Sequence, residues 1–367
     1  MTNYAEKIDI GLLTESFDRP EGKIVMGIDG FIDEVWQIIG SRISREEYRL
    51  FEKLTDFSKA LSASEEGGFT NEIVRKRRTY GGFVANTGKA VFRLGVRPVL
   101  LGMFGQDGID SVFSEFEEFT ELVPVGDPGI CQIFEFTDGK IMLPFIQEVL
   151  SFDWHALTKV IDEKALKTMF ADAAVIALGY WTLMPAFDEI VTRICEMLKG
   201  IPGKRRMFFD FADIRKSERS SLENSLGKLA GLNEQIPMTL SLNEHEAGHL
   251  FSFYGETFDA QDPEGADAMT ERVRNALGLD ELIAHTPYYA AAASVSEGSC
   301  VAIQNYCTSP VITTGAGDNF NGGYMVAMLK GMSLSERLTI GNAVTYLYVS
   351  GGHCPYKDEL FALLEKA

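Results

Sequence analysis

Residues 313–318 read Thr-Thr-Gly-Ala-Gly-Asp and run straight into 319–329, whose apolar positions recur at helical spacing. Small residues at a helix start let a ligand approach the backbone closely. The first turn also carries unpaired N–H groups at the positive end of the helix dipole. Gly315, Ala316 and Gly317 therefore read as an anion hole, with Asp318 beside it able to accept a hydroxyl proton. An acid in a first helical turn is common in its own right, so this turn takes its meaning from what accompanies it. Upstream, Gly81-Gly82-Phe83-Val84-Ala85-Asn86 opens another helix; paired glycines permit tight approach, and Asn86 offers hydrogen bonds to ligand hydroxyls. Between the two lies Asn243-Glu244-His245-Glu246, where Asn243 and Glu246 share a face at i and i+3 and offer hard oxygens to Mg²⁺ through water.

Around these turns, apolar runs at 23–28, 98–103, 175–178, 207–210 and 238–242 read as buried strands, and 84–94 reads as a helix. Strands spaced by helices predict an α/β fold: a central, mostly parallel sheet flanked by helices and joined by right-handed crossovers. Two stretches break the rhythm. Asp138-Gly139 between 130–136 and 140–146 is a hairpin signal, and 71–80 reads as extended. With 32–39 they predict a small antiparallel β lid, formed by about 32–39, 71–80 and 129–147, on a single domain over 1–367. Ser44 followed by Glu47 reads as a capping box opening a helix with Tyr48, Leu50, Phe51, Leu54, Phe57 and Leu61 on its apolar side.

The order GG-x-x-x-N-x-x-x-A with Arg93-Leu94-Gly95, then N-x-x-E, then T-x-G-A-G-D resembles the ribokinase-like (PfkB-type) carbohydrate kinase family. Residues 102–107 (GMFGQD) look like that family's G-x-x-G-x-D segment, and 342–352 (NAVTYLYVSGG) like its C-terminal helix and glycine turn beside the adenine. The likeness spans about 23–356. It implies an ATP- and Mg²⁺-dependent kinase that phosphorylates a hydroxyl of a sugar or sugar-like molecule. By the resemblance, Asp318 is the base, Gly315, Ala316 and Gly317 the anion hole, and Asn243 and Glu246 the metal-water residues. Gly81, Gly82 and Asn86 match substrate contacts, Thr314 and Asn342 nucleotide contacts. The acid that binds substrate hydroxyls after the first strand is Asp33 or, second, Asp29. Relatives open the last element with Asp where this chain has Ile312, so no monovalent-cation dependence is carried over. Their T-x-G-x-x-G turn reads His285-Thr286-Pro287-Tyr288-Tyr289 here, and the segment around 44–63 looks like an extra piece. Family lids often pair, which implies a homodimer through the β lid.

Bulk properties narrow the classes. The 367 residues carry a net charge of −19, whose field repels nucleic acid and anionic membranes. Five scattered cysteines without a C-x-x-C pair, and an N-terminus without a basic and then apolar leader, read as a cytoplasmic protein. His245-Glu246-x-x-His249 is a literal zinc-hydrolase signature, but Gly248 interrupts its helix and Glu246 already belongs to N-x-x-E. A ligand-binding relative that lost activity is the other rival, and the intact Asp318 and glycines speak against it. Arg75-Lys76-Arg77-Arg78, if extended, places Arg75 and Arg77 on one side and Lys76 and Arg78 on the other, either to greet a phosphate or to charge an exposed edge.

Overall fold

Lys23-Ile-Val-Met-Gly27 is apolar on both faces, a pattern only a strand covered on both sides tolerates, and it sits within the main sheet. A computed structural model describes residues 10–18, 22–64 and 68–366. In chain order its strands are β1 (Lys23–Gly27), β2 (Phe31–Arg42), β3 (Tyr48–Leu50), β4 (Ile73–Gly81), β5 (Val99–Gly102), β6 (Glu121–Pro124) and β7 (Gly129–Phe136). There follow β8 (Gly139–Phe145), β9 (Ala173–Gly179), β10 (Arg206–Asp210), β11 (Met238–Asn243), β12 (Glu281–His285), β13 (Tyr289–Ser294) and β14 (Gly298–Ile303). The main sheet has nine strands in the order β14-β13-β12-β11-β10-β9-β1-β5-β6. It is parallel from β12 to β6, with β13 and β14 antiparallel at one edge. The expected α/β architecture is thus the observed one.

Side chains alternate across the sheet, so each strand feeds two cores. Val25 enters the layer under the Phe187–Leu198 helix, whereas Ile24 and Met26 enter the layer under the Ala316–Leu329 and Leu334–Gly351 helices. Successive strands step outward from β1 in both directions, to β5 on one side and β9 on the other. Their carboxyl ends therefore part around β1, and that crevice is where open α/β sheets bind ligands.

The smaller sheet has five strands built around β2, antiparallel except for the β2–β7 pair. Its strands cover the expected 32–39, 71–80 and 129–147 segments and add β3. The helix expected from Ser44 is shorter and differently started. Ser44 Oγ accepts from the Glu46 and Glu47 amides in a turn, Tyr48–Leu50 pairs with the end of β2, and only Leu54–Ser62 is helical. That helix is capped from outside: the Asp138 carboxylate of the hairpin turn accepts from Leu54 N at 2.5 Å and from Thr55 Oγ1 at 3.2 Å. A cap 84 residues away leaves no local sequence signal.

Helices of the second core approach closely where they carry glycine. A Cβ on Gly322 would stand 2.6 Å from Ala90 Cβ, and one on Gly323 3.2 Å from Gly341 Cα. This contact lays the Phe83–Arg93 helix directly on the Ala316–Leu329 helix. Gly322→Val should overpack it and cost about 1–3 kcal/mol. A lowered urea midpoint is the expected result, and an unchanged one would show that these helices part without cost.

Candidate active site

The parallel strands end at one edge in a row of polar residues: Asp29 two residues after β1, Tyr180 after β9, Asp210 closing β10, Asn243 closing β11 and His285 closing β12. The Ala316–Leu329 helix brings Asp318 to the same place. Asn86 Nδ2 donates to Asp318 Oδ2 at 2.9 Å, and Thr87 Oγ1 to Oδ1 at 3.3 Å. Burial pushes the Asp318 carboxyl well above the usual carboxylate range, and the nearby Asp210 adds to the shift. Asn86, expected only as a ligand contact, therefore also orients Asp318.

The turn before that helix is shaped by absent side chains. Gly315 adopts φ 86°, and a Cβ there would lie 2.9 Å from the Tyr348 hydroxyl, which donates to the Thr314 carbonyl at 2.6 Å. A Cβ on Gly317 would meet His285 Cε1 at 3.3 Å. His285 stacks on Phe320 with 4.6 Å between ring centroids, and burial drives its pKa down to about 4, so it is neutral at pH 7.

Asp210 was not singled out in the sequence beyond ending a strand, yet it is the hub of the arrangement. Its carboxylate accepts from Ala212 N at 2.9 Å and Asn321 Nδ2 at 2.8 Å, and its carbonyl accepts from Tyr180 N at 2.9 Å. Tyr180 (φ 64°) and Ala212 (φ 59°) are the two non-glycine residues with left-handed backbone among the described residues, and both line the same cleft. Such conformations cost about 1–2 kcal/mol each and persist where their surroundings demand them. Nothing local marks Tyr180 for this role; Asp210 was findable from its place at a parallel strand's carboxyl end.

Glu246 is buried, and its pKa rises to about 9, first through burial and then through Asp210. With Asn243 it forms a capping box: Asn243 Oδ1 accepts from His245 N and Glu246 N, and Glu246 Oε2 accepts from Asn243 N at 3.0 Å. His245 and His249 lie one turn apart, with His245 exposed and His249 against Phe253, while Glu246 turns inward. The zinc signature thus does not converge, and among the described residues no cluster of His, Cys, Asp and Glu has metal-holding geometry.

The two glycines of the 81–82 turn make room for the two aspartates. A Cβ on Gly81 would fall 2.9 Å from the Asp33 carboxylate, and one on Gly82 2.2 Å from Asp29 Oδ2. Asp33 lines the cleft, its pKa raised to about 6 by burial against the opposing pull of Lys140 and Arg77. Asp29 does not line it. Fully buried, it accepts from Val84 N at 3.1 Å and so anchors the start of the Phe83–Arg93 helix, while its Oδ2 has no partner. Asn342 also stands elsewhere than expected: its side chain donates to the Ala302 carbonyl at 2.9 Å, and Thr345 and Val349 form the cleft wall on that helix.

Two cavities meet here. One, of about 510 Å³, is bordered by Phe31, Asp33, Asn86, Tyr180, Gly315 and Asp318. The other, of about 400 Å³, is bordered by His285, Thr286, Tyr306, Ala316, Gly317 and Val349. They share Asp210, Asn243, His245 and Glu246, so the 315–318 turn stands between them. The basic cluster is largely neutralised by acids. A bulge in β4 at Lys76, opposite Val35 and Trp36, shifts parity, so Arg75 and Arg78 both reach Glu34, and Arg78 also grips Asp110 with two 2.8 Å bonds. Arg77 bonds Glu135 at 3.0 Å and faces a cavity adjoining Asp33. The expected placement of Arg75 with Arg77 on one side fails because the bulge inserts Lys76 as an extra residue.

The family model described as prokaryotic ketohexokinase matches residues 12–367. A ketohexokinase of Haloferax volcanii is 27% identical over 345 residues, covering 93% of this chain and 90% of that protein. Among solved structures, a ribokinase of Thermotoga maritima superposes with TM-score 0.63 at 18% identity, covering 94% of this chain and 99% of that one. Phosphofructokinase-2 of Escherichia coli, crystallised with substrates and products, superposes with TM-score 0.62 at 12% identity, covering 94% and 99%.

Asp29 yields a test of the electrostatics. Its folded pKa of about 7 exceeds the ordinary 3.8, so the folded state holds its proton more tightly. The stability it confers is full below about pH 4 and is lost as pH rises through about 7. Asp29→Asn should therefore flatten the decline in urea-derived stability between pH 5 and pH 8. Parallel curves for the variant and the wild type would contradict the shift.

Proposed function

The chain belongs to the prokaryotic ketohexokinase family, and on that premise we propose that it transfers the γ-phosphoryl group of ATP to a hydroxyl of a ketohexose. The observation that carries this reading is the half-buried Asp318, held by Asn86 and Thr87 at the mouth of a helix between two cavities. The sugar occupies the cavity of Asp33, Asn86 and Tyr180, and the nucleotide that of His285, Tyr306 and Val349. Arg77 is already paired with Glu135, which favours an uncharged acceptor over a phosphosugar.

In the transfer, the acceptor oxygen attacks the γ-phosphorus as the bond to the bridging oxygen breaks, and the electron pair leaves with ADP. Asp318 takes the hydroxyl proton. The N–H groups of 315–317 face the charge on the phosphoryl oxygens, where preorganised dipoles act most strongly. Asp210, Asn243 and Glu246 suit Mg²⁺ held through water. They are hard oxygen donors, and a divalent ion would offset the burial that raises both the Asp210 and Glu246 pKa values and the repulsion from Asp210 that adds to the Glu246 shift. When bound, Mg²⁺ would neutralise triphosphate charge.

The whole chain is read as one catalytic unit in which the smaller sheet closes as a lid, carrying Asp33 on β2 and Met142 and Pro144 on β8 over the acceptor. Lid closure excludes water and limits wasteful ATP hydrolysis. No described helix is long and apolar enough to cross a membrane, and all five thiols are free, which fits a reducing compartment.

With a ketohexose and Mg·ATP, Asp318→Asn should lower kcat by roughly 10²–10⁴-fold while nucleotide affinity by calorimetry stays within a few-fold. Near wild-type turnover in that variant removes the base assignment, and no ketohexose phosphorylation by the wild type removes the substrate. Leu143 and Phe145 are exposed on β8, Phe145 at 64%, and support pairing of two lids into a homodimer. Light scattering should return about twice 40.6 kDa; a monomeric mass rules the pairing out.

A further inference from the structure

Lys140 is the second residue of β8, in the smaller sheet, yet its Nζ donates to Thr314 Oγ1 at 2.9 Å, on the turn that opens the anion hole. From the opposite direction the Tyr348 hydroxyl holds the carbonyl of the same Thr314. The turn is thus gripped twice, once from the main body and once from the smaller sheet. Lys140 is also the strongest counterweight to the raised pKa of Asp33, so its charge is felt in the acceptor cavity too. Two residues earlier, Asp138 reaches away from the cleft to cap the Leu54–Ser62 helix. The hairpin is therefore anchored outward through Asp138 and inward through Lys140.

Most other cations near Lys140 are engaged by a carboxylate, Lys89 by Glu115 among them, while Arg93 lies over the Tyr356 ring. Arg77 is paired with Glu135, Arg215 with Asp213 at 2.6 Å, and Lys216 with the same Asp213 at 3.6 Å. Lys140 instead bonds a neutral hydroxyl, Thr314 Oγ1. The 313–318 segment contains no cation of its own, and Phe83 follows the Gly81-Gly82 pair. Phosphoryl transfer in a site crowded with carboxylates needs positive charge that arrives in register with the donor.

We propose that Lys140 is a positioning residue for the transfer: carried by the lid, it docks on Thr314 and links acceptor-binding Asp33 to the anion-hole turn. The turn is set for transfer when the lid lies over it. This deepens the kinase reading above and rests on it.

The test compares Lys140→Met, Lys140→Arg and Thr314→Val with the wild type on a ketohexose and Mg·ATP. Lys140→Met should lower kcat by about 30–100-fold, a loss on the scale of removing one preorganised donor, with the sugar KM changed less than about threefold. Lys140→Arg should recover most of the loss, and Lys140→Met/Thr314→Val should be no worse than Lys140→Met alone. Without Lys140, Asp33 loses the cation that holds its pKa down, so the acid limb of kcat/KM should move to higher pH. A merely structural lysine would not move that limb. Wild-type kcat with an unmoved limb in Lys140→Met overturns the proposal, as does a rise in sugar KM alone. Hydrogen exchange of the ligand-free protein over 129–145 tests the docking apart from the chemistry. Faster exchange in Lys140→Met and in Thr314→Val supports it, and unchanged exchange overturns it. Failure of the wild type to phosphorylate any ketohexose strikes the kinase reading instead, with the exchange result still deciding the docking.

Discussion

Desolvation of four neighbouring carboxylates is the constraint on which this site depends. Asp29 and Glu246 are buried and Asp210 and Asp318 half-buried, and desolvation is the largest cause of each raised pKa. In a low dielectric such a cluster is costly unless each member has donors or a cation nearby. The chain supplies donors selectively: Asn86 and Thr87 to Asp318, Asn321 and Ala212 N to Asp210, Asn243 N to Glu246, Val84 N to Asp29. These donors orient the acids without neutralising them. The residual strain is the property a metal–nucleotide complex would relieve, so the same arrangement that weakens the empty fold favours the occupied one.

Bringing those donors within reach requires helices and loops to lie closer than ordinary side chains allow. Glycine does this at several levels. Gly322 and Gly323 bring three helices together, Gly81 and Gly82 open space for two aspartates, and Gly315 lets the anion-hole turn pass the Tyr348 hydroxyl. The left-handed Tyr180 and Ala212 bend the chain around Asp210 in the same service. Close approach is thus distributed over the whole edge of the sheet rather than confined to one motif.

The smaller sheet adds a second level of control. Strand β2 leaves the main body just after Asp29 and carries Asp33 outward, while β8 returns Lys140 to Thr314 on the turn before Asp318. The extra segment before β4, expected to be one long helix, instead contributes β3 and a short helix capped by Asp138. It is joined to the hairpin from outside through Asp138, on the turn two residues before Lys140.

By itself the sequence determined the α/β class, the strand and helix rhythm, the hairpin at Asp138-Gly139 and the turn that carries Asp318, because each is a local pattern of burial, turn chemistry or helix capping. It also brought Asp33, Asn86, Asn243 and Glu246 to notice, since short motifs preserve spacing along the chain. Tertiary structure alone decided that Asp29 anchors a helix, that Asn342 bonds a carbonyl outside the cleft, that Asp210 and Tyr180 line the same cleft as Asp33, and that Lys140 reaches Thr314. It also decided the bulge that reversed the parity of the arginines and the strand pairing that shortened the 44–63 helix. The physical reason is common to all of these. Their outcomes depend on which distant segment lies opposite, and no window of neighbouring residues carries that information.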